Sequence, residues 1–356
     1  MANTTIKEIA ALCGVAVSTV SRAMNGSPDV SEETRRRVLE MAAKYNYVPN
    51  ASARSLKAHS TNVIAVLVQG ELSPIFLPMI QMFEERIKGT EFSMMLTFIP
   101  DDEADPETLA RIVRDRKISG VVFLGRYGDR AKGAMAGQRL AEMGTPLVFC
   151  TTTDFSGTRM VHSSVSVDDR GASRAMTQHL LEQGHREIAY VAAGGPGDVE
   201  QVWALRIEGF RDAMIEWPEP TKATVVDSAL PDHLYTMDNG YESMLAALDG
   251  GLEATAVMAV CDAVAVGLYR ALAERGIRVP QDMSVVGFDD IDIASYTVPA
   301  LTTVRQPLER IVEESTRAIL DAITNPDGSA GTIFVPAEII DRDSVAAPRA
   351  NASRRA

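Results

Sequence analysis

The chain has 356 residues, long enough for a small module and two further domains, and its 46% apolar and 23% charged content is that of an ordinary soluble globular protein. No run of 18 apolar residues occurs, Met1-Ala2-Asn3-Thr4-Thr5 lacks the basic start and apolar core of a signal peptide, and Cys13, Cys150 and Cys261 are widely spaced with no CxxC. A membrane span, secretion, a disulfide framework and a cysteine zinc site are therefore not expected, and a cytoplasmic location is. The net charge of −13 is divided unevenly, because residues 1–60 carry eight basic side chains against five acidic ones, a balance of +3 that leaves −16 for the remainder. Attraction to phosphate can come only from the N-terminal stretch.

That stretch reads as three short helices. Thr5-Ile6-Lys7-Glu8 is a capping-box pattern, with Ile6, Ile9 and Ala10 recurring at helical spacing, and Gly14 stops the helix it opens. A second helix from about Val17 to Asn25 buries Val20, Ala23 and Met24 and turns Val17, Ser18, Ser21 and Arg22 outward. Two short helices about a tight glycine turn, the second with a small polar and cationic outer face, have the layout of a helix-turn-helix, which also occurs as plain helical packing. A third helix follows, with Ser31 as N-cap, Glu32 and Glu33 in its first turn and Val38, Met41, Ala42 and Tyr45 as its buried stripe.

Beyond a polar boundary at Ala58-His59-Ser60-Thr61-Asn62, apolar runs alternate with amphipathic helical patterns. The runs are Val63–Val68, Phe92–Ile99, Gly120–Leu124, Pro146–Cys150, Val165–Asp168, Ile188–Ala193, Thr224–Asp227, Ala256–Val260 and Met283–Phe288. Short buried strands separated by helices predict parallel sheets in βαβ units, and this many predicts two lobes. The fold class is α/β, an N-terminal all-α helix-turn-helix domain plus a two-lobed, doubly wound core. The expected boundaries are 1–48 for the helix-turn-helix, 49–61 for a hinge helix and linker, 62–345 for the core and 346–356 for a flexible tail. Within the core, lobe 1 is expected at about 62–160 and 301–323, and lobe 2 at about 161–290 with the C-terminal strands.

Thr19-Val20-Ser21-Arg22, Asn25, Val30-Ser31, Tyr45-Asn46-Tyr47-Val48-Pro49-Asn50 and Ala53-Arg54-Ser55-Leu56 resemble the lactose-repressor (LacI/GalR) family of bacterial transcription regulators. So do Val167-Asp168-Asp169, Arg206-Ile207-Glu208-Gly209-Phe210, Val279 through Asp290 and Leu301-Thr302-Thr303-Val304-Arg305-Gln306-Pro307, which are similar to the family's effector-binding core, itself like the periplasmic sugar-binding proteins. In the second helix Val17, Ser18 and Arg22 are the candidate base-edge readers, Arg22 being able to make a bidentate contact to guanine worth about 1–3 kcal/mol of discrimination. The resemblance implies backbone contacts from Thr5, Thr19, Ser21, Asn25, Ser31 and Asn50, which position without specifying. It also implies a hinge of Ala53, Leu56 and Lys57 in the minor groove, with Leu56 wedged between central base pairs of a near-palindromic operator and two copies of the chain, a homodimer, paired there. Ala16 departs from the family's Ser and removes one cap and phosphate contact.

In the core, Arg206 and Asp262 are the strongest effector candidates. Asp262 follows the strand Ala256–Val260 and opens a helix, so its carboxylate stands at the strand's carboxyl end, and Arg206 supplies a planar donor fork. The structural alternative is Asp262 as a helix N-cap and Arg206 in a domain salt bridge. The resemblance adds Ser73, Phe76, Thr151 and Asp289, with Phe76 placed to stack on a ligand. Cys261 replaces the family's Asn, and Ser228-Ala229-Leu230 replaces its stacking aromatic, which is then absent or supplied by Tyr235 or Trp203. The implied effector is a small molecule, first a neutral sugar, although Arg206 equally suits a sugar acid or phosphate. No cofactor or metal is expected, since His179 and His185 flank a helix end at Gly184 and do not read as ligands.

The implied function is a sequence-specific DNA-binding regulator, in the family a repressor, whose operator affinity an effector controls. Whether the ligand induces or corepresses stays open. An enzyme is the alternative from another class, but Gly194-Gly195-Pro196-Gly197 breaks the GxGxxG spacing and no nucleophile elbow occurs. A transport-type binding protein would share the core but needs a secretory signal.

Overall fold

The computed structural model describes residues 4–24, 27–45, 47, 62–69, 73–99, 105–125, 135, 138–152, 162–191, 202–230, 233, 235–326, 328 and 330–349. The chain forms two compact units, Met1–Thr61 and Asn62–Ala356. The first holds α1 (Ile6–Cys13), α2 (Val17–Met24) and α3 (Glu32–Lys44). The Thr5 capping box is closed in both directions, since the Thr5 N–H donates to Glu8 Oε2 at 2.7 Å and the Glu8 N–H to Thr5 Oγ1 at 3.4 Å. Gly14 ends α1 at φ 64°, the left-handed conformation that glycine adopts without cost. Ile9, Ala10, Cys13, Val20, Ala23, Val30 and Val38 make one small core shared by the three helices. Ala42 is buried with Val38 on α3, whereas Met41 is half-buried and Tyr45 is exposed.

The second unit contains two six-stranded sheets. Lobe 1 has strand order β11-β5-β4-β3-β1-β2, formed by β1 (Val63–Gln69), β2 (Ser93–Ile99), β3 (Gly120–Leu124), β4 (Leu147–Cys150), β5 (Ser163–Ser166) and β11 (Thr332–Phe334), all parallel. Lobe 2 has order β12-β10-β9-β8-β6-β7, from β6 (Glu187–Val191), β7 (Lys222–Val226), β8 (Ala256–Ala259), β9 (Ser284–Asp289), β10 (Thr302–Arg305) and β12 (Glu338–Ile340). Among the described residues only the pairing of β12 with β10 is antiparallel.

A parallel strand must be apolar on both faces, and β1 shows why. Ile64, Val66 and Val68 join the cluster under α4 (Phe76–Lys88), which contributes Met79, Phe83 and Ile87. Ala65 and Leu67 face the opposite cluster with Leu109 and Val113 of α5 (Pro106–Arg116). Lobe 2 is covered by α6 (Asp169–Glu182) packed on α7 (Val202–Glu216), and by α8 (Met237–Asp249) packed on α9 (Asp262–Glu274). In both sheets the order reverses beside the first strand of the lobe, between β1 and β3 and between β6 and β8, the crevices where doubly wound folds bind ligands.

Among the described residues the chain crosses between lobes three times, from β5 into α6, from β10 into α10 (Leu308–Thr324), and from β11 to β12. This corrects the expected lobe boundaries. β5 pairs with β4 and belongs to lobe 1, although the sequence pattern puts 161–168 in lobe 2. β10 pairs with β9 and belongs to lobe 2, and only α10 of the 301–323 stretch returns to pack on α4, β3, β4 and β5. The C-terminal strands are split, β11 to lobe 1 and β12 to lobe 2. Residues 346–349, expected in a flexible tail, are tied down: the Ala346 N–H donates to Ser284 Oγ at 3.1 Å and Arg349 Nη1 to Asp282 Oδ1 at 2.9 Å.

Candidate DNA-reading face and effector site

On α2 the buried residues Val20 and Ala23 force the opposite face outward, and Val17, Ser18 and Arg22 are placed there, with Thr19 and Ser21 beside them. Val17 is 40% exposed, a cost in apolar surface that base contact would recover. Ala16 has no side-chain acceptor, so the first turn of α2 is closed by backbone alone, Thr19 N–H and Val20 N–H both donating to the Ala16 carbonyl. Thr5 and Ser31 cap α1 and α3. The Ser31 hydroxyl accepts from the Thr34 N–H at 3.3 Å, and both side chains are exposed at helix N-termini, where backbone N–H groups favour anions. Of the three arginines in the first half of α3, Arg35 is spent internally, bonding Glu32 at 2.9 Å and the Ser27 carbonyl at 2.7 Å. Asn25, Asn50, Ala53, Leu56 and Lys57 lie outside the described residues.

In the core the candidate residues follow the carboxyl ends of strands in both sheets. Phe76 opens α4 after β1, is buried, and lies against the ends of β1 and β3: a Cβ on Gly125 would sit 3.6 Å from its ring. Ser73 is half-buried and closes the turn before it, its carbonyl accepting from the Phe76 N–H. Thr151 ends β4 at φ 62°, with its hydroxyl donating to the Cys150 carbonyl at 2.6 Å.

Arg206 is the central candidate in lobe 2. It is 4% exposed; Nε donates to Asp169 Oδ1 at 2.8 Å, Nη1 donates to the Val260 carbonyl at 2.6 Å, and the guanidinium stacks 3.5 Å from the Phe288 ring centroid. Nη2 stands 3.9 Å from Asp289 Oδ1, beyond hydrogen-bond reach. Asp289 Oδ1 accepts from Gln306 Nε2 at 2.6 Å. Burial pushes the Asp289 carboxyl up to about 6 against the pull of Arg206 and Gln306, and burial likewise raises Asp169 against Arg206.

Asp262 has a different part. It is fully buried; Oδ1 accepts the Thr303 hydroxyl at 2.5 Å and Oδ2 accepts the Ile291 N–H at 2.9 Å. Gly287 admits it, since a Cβ there would collide with Oδ1. Burial and the neighbouring Asp289 raise its pKa well above the carboxylate range. Its bonds run to backbone and β10, and α9 is capped at Cys261 without a side-chain bond, so Asp262 ties loops together and offers no open carboxylate face. Burial pushes the Cys150 thiol up to about 12 and raises that of Cys261 as well, so neither is a ready nucleophile. Among the described residues no cluster of three His, Cys, Asp or Glu side chains could hold a metal.

Arg206 and Asp289, singled out from the sequence as separate candidates, face each other in space. Their partners Asp169, Phe288 and Gln306 were not among the candidates. Asp169 and Gln306 stand in motifs that carry the family resemblance, and the signal that would have found them is their position at two of the chain's crossings between lobes. Trp203, in the first turn of α7, is buried and Tyr235 is half-buried; the aromatic that stacks on Arg206 is Phe288.

The family model described as bacterial regulatory proteins, lacI family, matches residues 5–50, and that of a periplasmic binding protein-like domain matches 177–345. The HTH-type transcriptional regulator MalR of Clostridium butyricum is 31% identical over 341 residues, which are 95% of this chain and 98% of that protein. Among solved structures, a complex of the transcriptional regulator CelR with cellobiose superposes with a TM-score of 0.68 at 29% identity, covering 96% of this chain and 100% of that one. The lac repressor dimer bound to operator and the anti-inducer ONPF superposes with a TM-score of 0.83 at 23% identity, covering 97% and 100%, a likeness of fold.

Proposed function

We infer, for a chain that belongs to the LacI family of bacterial regulatory proteins, a repressor whose operator affinity is set by an uncharged sugar bound between the two lobes of its core. The chain is a DNA-binding transcriptional regulator and not an enzyme. Val17, Ser18 and Arg22 read base edges in the major groove, while Thr5, Thr19, Ser21 and Ser31, with Asn25 and Asn50, hold the phosphates. Ala53, Leu56 and Lys57 form the minor-groove hinge, and two copies bind one near-palindromic site. Exposed apolar side chains support self-association: Leu77, Leu96 and Phe98 on lobe 1, and Ile293, Tyr296 and Val298 on lobe 2. Among the described residues no helix is long and apolar enough to cross a membrane, and we place the protein in the cytoplasm, with its DNA.

One observation carries the allosteric part. Each of the two lobe 2 ligand candidates is bonded to a residue at a lobe crossing, Arg206 to Asp169 at the start of α6 and Asp289 to Gln306 just before α10. A sugar that draws on Arg206 Nη2 and Asp289 while touching Ser73, Phe76 and Thr151 of lobe 1 pulls on both crossings at once and shifts the population toward a closed core. Coupling of this kind is reciprocal, so the sugar and the operator oppose or assist each other by the same factor.

Charge favours an uncharged ligand over a sugar acid or phosphate. The Arg206 guanidinium already faces two carboxylates, Asp169 at 2.8 Å and Asp289 at 3.9 Å, which leaves no positive excess for an anion. Hydroxyls can donate to Asp289 and accept from Nη2 without that penalty. Asp262 acts here by holding the 289–291 turn.

Selection of DNA from a random pool by the purified full chain tests the reading. Enrichment of one near-palindromic sequence, with affinity that falls steeply as salt rises, is expected. A pool that stays random at every salt concentration overturns it.

A further inference from the structure

The corner that follows β9 is braced more heavily than a surface turn requires. Asp289 and Asp290 lie consecutively at φ 118° and 57°, where residues other than glycine persist only if their surroundings over-determine them. Asp290 supplies that constraint. Its Oδ2 accepts from Arg305 Nε at 2.7 Å and its Oδ1 from Arg342 Nη2 at 2.6 Å, with only 7% of its side chain exposed. Arg342 is itself seated, donating from Nη1 to the Leu301 carbonyl at 2.8 Å and from its backbone N–H to Thr302 Oγ1 at 2.9 Å. One residue further on, the Ile291 N–H is held by Asp262. The residue thus pinned between these anchors is Asp289, whose Oδ1 meets Gln306 and looks across to Arg206.

We propose that Asp290, clamped by Arg305 and Arg342, is a positioning residue that holds the Asp289–Asp290 backbone at its positive φ angles and so aims the Asp289 carboxylate at Arg206 and Gln306. The proposal rests on the reading of Asp289 as an effector contact. On this proposal Asp290, Arg305 and Arg342 act through Asp289. One arginine on each oxygen of a short carboxylate fixes the plane of the group, which a single ion pair does not.

The test uses the full chain without effector. Crystal structures of Arg342→Ala and Asp290→Gly are compared with wild type, and the ionisation of Asp289 in each is followed by difference titration against the same variant carrying Asp289→Asn. The glycine removes the clamp while tolerating the backbone angle, so it separates aim from strain. In both variants Asp289 Oδ1 is expected to leave Gln306 Nε2, and its midpoint to fall from near 6 by about one unit as the carboxylate reaches water. Arg342→Lys restores part of both. If Arg342→Ala does not fold, Asp290→Asn, which keeps the side chain's shape, is read in the same way. An unmoved Asp289 with an unchanged midpoint, accompanied only by a lower unfolding temperature, overturns the proposal. Because neither readout involves an effector, that result leaves the effector reading standing. Conversely, a full sugar response in Asp289→Asn would overturn the effector reading and leave the clamp intact.

Discussion

The two functional regions of this chain are built in opposite ways. On α2 the residues proposed to read bases, Val17, Ser18 and Arg22, lie on the outer face of a helix whose other face is buried, so the fold does not depend on what they are. In the core, Arg206 and Asp289, the proposed effector contacts, are buried and bonded to residues from distant parts of the chain, so on this proposal recognition and stability rest on the same atoms. The difference follows from the partners. DNA brings its own charge and water to a surface, whereas a small ligand must be enclosed by groups already desolvated and paired. Operator specificity can therefore change at little cost in stability, and effector specificity cannot.

The largest expected effect separates the regions most sharply. Arg206→Ala leaves Asp169 as a buried charge without its partner and the Val260 carbonyl without a donor, and should cost about 3–5 kcal/mol of unfolding free energy along with the effector response. Urea denaturation measures it, and a loss below about 1 kcal/mol would break the comparison.

Acid should weaken the core next. His185 is buried with Nδ1 against the Thr255 hydroxyl at 2.8 Å, and burial lowers its pKa from 6.5 to about 4. Above pH 6.5 the ring is neutral in both states. As the pH falls toward 4 the unfolded chain takes up a proton that the folded chain refuses, so stability is lost across that window, by at most about 3 kcal/mol. Unfolding free energies of wild type and His185→Gln measured from pH 7 to 4 should converge as the pH falls, and parallel curves would refute the assignment.

Arg22→Ala should do the reverse of Arg206→Ala. Discrimination at one base pair falls by about 1–3 kcal/mol, while unfolding free energy changes by no more than about 0.5 kcal/mol. Competition binding with single-base operator variants, set beside denaturation, checks both halves. The smallest effect is Ser31→Ala, which removes the N-cap of α3 and should cost about 1 kcal/mol of local stability, read by amide exchange along that helix.

The same contrast governs how much of each region is legible in the amino-acid sequence. The first unit is legible because its signals are local: the capping box at Thr5, the left-handed Gly14 and the outward face of α2 lie within a few residues of one another. Strands such as β1 and β3 are legible because a parallel strand buried on both faces is a continuous apolar run. The place of β5 is not, because Ser163–Ser166 is mostly polar, and pairing is a relation between distant segments that no run of residues encodes. The site divides in the same manner. Arg206, Asp262 and Asp289 stand out by residue type and position. The bonds that distinguish a ligand contact from an internal tie span 37 residues from Asp169 to Arg206 and 41 from Asp262 to Thr303, and only folding brings those partners together.

The central claim is that one protein couples the exposed face of α2 to the buried Arg206–Asp289 site, and fluorescence anisotropy tests it most directly. The selected operator is titrated with wild type and Asp289→Asn, alone and with a panel of uncharged mono- and disaccharides that includes cellobiose. One sugar is expected to change wild-type operator affinity by about 5–150-fold, in either direction, and to leave Asp289→Asn unmoved. Operator affinity indifferent to every sugar, or a variant that responds as wild type does, would contradict the account.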